Sequence, residues 1–130
     1  MPNEVQIDPP GLPVGTQSAF SFQGTAAAAT ITLTQPAVAG KINFVTAIVI
    51  SGGGATAASV ITVTLASGGT TILTLNIAVP APVTGGIIPI VISFDTPLAG
   101  LGANQNMVLT VPSFGAGNTA AAAFLQGFTQ

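Results

Sequence analysis

Cysteine, histidine, tryptophan and tyrosine are all missing from this 130-residue chain, and charge is nearly so: Lys plus Arg is 1 and Asp plus Glu is 3. Each absence closes a class of chemistry. Without an imidazole or a thiol there is no base or nucleophile of His or Cys type and no zinc site of the usual ligands. A single lysine supplies neither the phosphate neutralisation that nucleic-acid binding needs nor the attraction to an anionic membrane. Lack of Trp and Tyr removes the aromatic girdles of an outer-membrane barrel. Every apolar window of about 20 residues is interrupted by Gly, Pro, Asn or Thr, which argues against a spanning helix. The segment Met1-Pro-Asn-Glu-Val-Gln-Ile-Asp-Pro-Pro10 has no basic and no apolar run, so no secretory signal is expected in it. Missing cysteine fits any redox compartment. The expectation is a protein without catalytic residues, cofactor or metal.

What is present is apolar and β-forming. Hydrophobic residues make 48% of the chain and charged residues 3%, against roughly 25% charged in an ordinary globular domain. A monomer of this mass exposes on the order of 6,000 Å², and four charges are too few to keep such a surface from associating. Burial between subunits or on a larger assembly is the simplest remedy, so an obligate oligomer is expected.

Residues 1–16 read as an extended arm. Pro2, Pro9, Pro10 and Pro13 remove amide donors, and Val5, Ile7, Leu12 and Val14 offer apolar contacts to a neighbouring subunit or lattice. Residues 17–130 read as one domain of short strands. Ala19–Phe22, Thr30–Thr34 and Val60–Leu65 alternate apolar with polar, whereas Ile42–Ile50 is apolar on both faces, as a central strand would be. Ser67-Gly68-Gly69 reads as a hairpin turn, with a return strand to Val79. Ile87–Phe94, its first half demoted to an edge or bulge by Pro89, Met107–Val111 and Ala121–Thr129 complete about eight strands. Ala26–Ala29 and Ala120–Ala123 are long enough for a helical turn, yet both feed β patterns without caps. The pattern predicts an all-β, single-domain antiparallel jelly-roll sandwich.

Few motifs carry chemistry. Phe94-Asp95-Thr96 resembles the strand-ending turn of aspartic proteases, but Pro97 stands where the turn's glycine belongs and has no N–H for the carboxylate. The bland reading is that Asp95 caps a turn before proline. Gly115-Ala-Gly117-Asn-Thr-Ala120 matches a dinucleotide fingerprint formally, yet no helix and no acidic residue follow it. Glu4 and Asp8 lie in the arm and read as solvated charges. Lys41, after Gly40, reads as a gatekeeper of an edge strand. Thr30, Thr32, Thr34, Thr62 and Thr64 form rows that an ice-binding face would also show, although exposed strand threonines are ordinary.

The second half has a fuller grammar. Pro89-Ile-Val-Ile-Ser-Phe-Asp-Thr-Pro-Leu-Ala-Gly100 leads to Ala103-Asn104, Met107-Val-Leu-Thr-Val111, Gly115-Ala-Gly117 and Ala123-Phe-Leu-Gln-Gly-Phe128. This order, over roughly residues 40–130, resembles small decoration (cement) or head-spike proteins of tailed bacteriophages, which share the jelly roll of tumour-necrosis-factor and complement-head trimers. The resemblance implies a non-enzymatic homotrimer on the outer surface of a capsid, bound to the major capsid protein and made in the bacterial host's cytoplasm. It implies that Phe124, Gln126 and Phe128 line the trimer interface and that the arm, through Val5, Ile7, Leu12 and Val14, holds the capsid lattice. Nucleic acid, membrane and small-molecule substrates are not expected partners. The alternative is a receptor-binding tip of a fibre or spike, with loops Gly52–Ser59, Pro80–Gly86 and Leu98–Gln105 contacting a host glycan or protein.

Overall fold

The computed structural model describes residues 17–81 and 86–130; the arm and its four apolar residues lie outside them. Among the described residues eight strands form and no helix: β1 (Ser18–Ala26), β2 (Ile31–Gln35), β3 (Asn43–Gly53), β4 (Ser59–Ser67), β5 (Thr70–Val79), β6 (Gly86–Ala99), β7 (Met107–Val111) and β8 (Ala120–Thr129). They make two four-stranded sheets, β1-β8-β3-β6 and β2-β7-β4-β5, here sheets I and II. Every neighbouring pair is antiparallel. Only the β4–β5 hairpin stays within a sheet; each other connection crosses between sheets. That alternation, with β8 inserted between β1 and β3, is the jelly roll.

Local chemistry explains the elements. Gly68 and Gly69 have φ of 56° and 87°, the double positive φ of the tight turn whose twist matches a hairpin. Ile61, Val63 and Leu65 point inward along β4, and Leu109 and Val111 along β7, because a strand's side chains alternate. β3 is central, between β8 and β6, as its two-faced apolar run suggests. A bulge interrupts that run: Val45 pairs with Gly127 and Ala47 with Gln126, leaving Thr46 extra. The bulge changes the phase of the strand, so Val45, Ile48 and Ile50 are the buried residues and Phe44 and Val49 face outward. Gly127 sits opposite Val45 on the inner side, where a Cβ would overlap the Phe44 carbonyl oxygen and crowd the Phe20 ring.

Phe114, in the β7–β8 connection, is fully buried and closes one end of the core. Asn118 beside it is buried too: its amide donates to the carbonyls of Gly53 and Ala120 and its oxygen accepts from the Ala28 N–H. Asn43 plays the same part at the opposite end, donating to the Pro36 and Gln105 carbonyls and accepting from the Thr129 hydroxyl. Each end is thus stitched by one buried asparagine whose polar atoms are used, which avoids the penalty of unpaired burial.

Two expectations need correction. Strand β6 continues to Ala99 rather than stopping at Phe94, so Asp95 is not in a turn: it lies exposed within an edge strand, in an irregular stretch between the Ala47–Ser93 and Val45–Leu98 pairs. Lys41 precedes β3, a central strand, so it guards no edge. The connection 54–58 lies at the Asn118 end and 100–106 at the Asn43 end, where the Gly100 N–H donates to the Asn43 carbonyl over 2.8 Å.

Candidate functional site

The outer face of sheet I is built by the outward residues of its four strands. Cross-strand register sets them in rows. Phe128 lies between Ala19 and Phe44, with Ala99 beyond; Gln126 lies between Ser21 and Ala47, with Ser93 beyond; Phe124 lies between Gln23 and Val49, with Val91 beyond. Phe124, Gln126 and Phe128, expected on one face from their spacing, do share it. The Phe44 and Phe128 rings stack with centroids 4.8 Å apart and planes 13° from parallel. Val91 is 65% exposed. None of these rows contains a charge, but exposed Asp95, on the irregular part of β6, lies between the Ser93 and Ala99 ends of two of them.

Sequence spacing found the three β8 residues but missed Phe44, Val49 and Val91. The bulge at Thr46 decides which side of β3 faces out, and pairing across more than forty residues decides that Val91 joins the same row. Neither is a local signal. The Thr46 hydroxyl, which donates to the Gln126 carbonyl over 3.2 Å, marks the bulge from the side-chain side.

Sheet II presents a different surface. Thr32, Thr110, Thr64 and Thr74 form one row across all four strands. Beside it the Thr62 hydroxyl donates to the Asn76 side-chain oxygen over 2.9 Å. Hydroxyls and amides on exposed strand positions remain hydrated at little cost; Val60, exposed on the same side of β4, is the isolated large apolar residue of this face.

Among the described residues no group of three or more His, Cys, Asp or Glu could hold a metal. An open concavity of about 680 Å³ at the Asn43 end is lined by Asn104, Gln105 and Asn106 among others. The Asn104 oxygen already accepts from the Gly40 N–H at 2.7 Å, and the Gln105 oxygen from the Ser67 hydroxyl at 2.8 Å. Those amides hold loops together.

No family model, curated protein or solved structure matches this chain. The fold is therefore defined by topology: an all-β protein of jelly-roll class whose distinguishing surface is an aromatic sheet face with one carboxylate, Asp95, on its edge strand.

Proposed function

We propose that this chain is a non-enzymatic structural protein, a homotrimer that decorates the outside of a tailed-bacteriophage capsid and stabilises its lattice. It would be made in the cytoplasm of the bacterial host and end in the virion. The observation that carries the reading is the outer face of sheet I, where stacked Phe44 and Phe128, Phe124 and Val91 face water with no charge among their rows. Monomeric proteins rarely leave contiguous apolar area of that kind uncovered, and a face with rings and amides but no charge is complementary to itself. The number three comes from the resemblance of residues 40–130 to phage head-spike proteins.

A cement protein needs no reaction. It buries area across a seam between capsid subunits, and three linked copies convert weak contacts into avidity without any new contact. Association that does not depend on ion pairs is little affected by screening.

Light scattering behind a sizing column, with refractive-index detection because Trp and Tyr are absent, tests the assembly. The expected mass is three times the 12.7 kDa chain; a stable monomer overturns the trimer. Co-sedimentation with capsids that lack the protein tests the partner, and binding should survive high salt. Binding to host cells or glycans without any capsid would instead favour a receptor-binding tip.

A further inference from the structure

The middle row of the sheet I face differs from the rows on either side of it. Phe124 and Phe128 each stand two residues from Gln126 along β8, so the three side chains share a side at intervals of about 7 Å. Gln126 is exposed, whereas both phenyl groups are half-buried. Its row is completed by Ser21, Ala47 and Ser93, all of them small. One long amide therefore stands in a low row between the Phe44–Phe128 rings and the Phe124–Val49 pair. Among the described residues its side chain makes no hydrogen bond, unlike the amides of Asn43, Asn104, Gln105 and Asn118.

This row lies at the middle of the face. β8 runs between β1 and β3, and the two outer strands bring the wetter groups: Ser21, Gln23 and Thr25 on β1, Ser93 and Asp95 on β6. The Asp95 strand is two strand spacings, about 10 Å, from β8, so its carboxylate can stay in water when the centre is covered. An apolar centre within a polar margin is the anatomy of a protein interface. Four strands of about nine residues make a face of roughly 600 Å² per copy. Two such faces only just reach the size of a specific interface. Area alone does not choose between alignments.

Symmetry brings Gln126 to itself. Copies in a closed assembly meet around an axis, and a residue beside that axis meets its own counterparts. An axis perpendicular to the sheet at the middle of the face passes beside Gln126. An axis parallel to β8, as a trimer would have, brings every residue of the β8 column to its own level, Gln126 included. A carboxamide both donates and accepts, so two pair reciprocally and three close a ring. Shifted by one row, about 7 Å, the amide would lie dry against a phenyl group, which weakens association about ten- to a hundredfold. A single buried asparagine sets the register of coiled coils in the same way. We propose that Gln126 contacts Gln126 of the sister copies and fixes the alignment in which their sheet I faces meet. This rests on the assembly proposed above and adds the group that aligns it.

Exchanging charge at this one position tests the contact. Gln126 is exposed in the single chain, so full-length Gln126→Glu and Gln126→Lys should fold as the parent does, which their unfolding midpoints check. Each alone sets like charges together and should weaken association by about a hundredfold or more, giving 12.7 kDa monomers in light scattering. Their equimolar mixture should recover the parent's mass, because opposite charges then meet. Gln126→Met keeps the length and loses the donor and the acceptor; slipped faces leave a row of rings uncovered, so species above the parent's mass are expected. Glu and Lys variants that each keep the parent's mass put Gln126 outside the contact, and a mixture that stays monomeric means that it faces another group. Either result overturns the proposal and leaves the assembly standing. A single parental mass for Gln126→Met overturns the aligning role. A parent chain that is itself monomeric overturns the assembly.

Discussion

The two sheets share one core and differ on their outer sides. Sheet I shows rings, valines and alanines in rows with no charge, and sheet II shows a rank of threonines crossing four strands. A typical domain separates wet from dry surface with lysine and glutamate. This chain has four charged residues in all and makes the distinction with hydroxyls against phenyl groups. The contrast teaches that the shortage of charge is not uniform stickiness: apart from Val60 one face is mostly hydroxyls, and apart from Asp95 the other is mostly rings and small apolar groups.

The largest expected effect follows from putting charge on the dry face. Phe124→Glu with Phe128→Glu should turn the proposed oligomer into 12.7 kDa monomers, because each uncompensated carboxylate buried in an interface costs several kcal/mol. Thr64→Glu with Thr74→Glu, neighbours on sheet II, should leave the mass unchanged. Light scattering of both pairs breaks or confirms the asymmetry directly.

Below the surface the sheets should be equivalent. Leu125→Ala in sheet I and Leu109→Ala in sheet II, both fully buried, should each cost about 2–5 kcal/mol in denaturant unfolding. A loss confined to one of them would mean that the sheets do not unfold as a unit. Asn43→Ala and Asn118→Ala remove the stitch at either end and should cost about 1–3 kcal/mol each, since carbonyls and N–H groups are left without partners. The smallest effect is an expected constancy: the mass of the assembly should be the same at about 0.05 M and 1 M NaCl, although the Debye length falls from about 14 to 3 Å.

Much of the fold was legible in the sequence because β structure writes itself locally where one side is buried. The alternation of Val60–Leu65, the two-faced run of Ile42–Ile50 and the paired glycines at 68 and 69 each predicted a feature that formed. What was not legible depends on distant partners. Asp95 reads as a turn residue beside Pro97, but β6 lies at an edge, where a proline withholds no ladder hydrogen bond, and the strand runs on. Phe114 is a lone aromatic in a Gly- and Ser-containing connection, and only the crossing topology reveals that it plugs the core. The candidate face was half visible: β8 announced its three residues, while Phe44 and Val91 needed the bulge and the register to join them.

The position of β8 has a consequence for timing. As the chain is synthesised, β1 and β3 emerge first and must wait for a strand that belongs between them, about a hundred residues after β1. Pairings of such long range form slowly, typically within milliseconds to seconds in all-β domains. Until residues 120–129 slot in, sheet I has no middle and the ring-bearing face does not exist. If the chain associates through that face as proposed, completion of the fold and readiness to associate are one event, because the Phe124–Phe128 part of the face arrives only with β8.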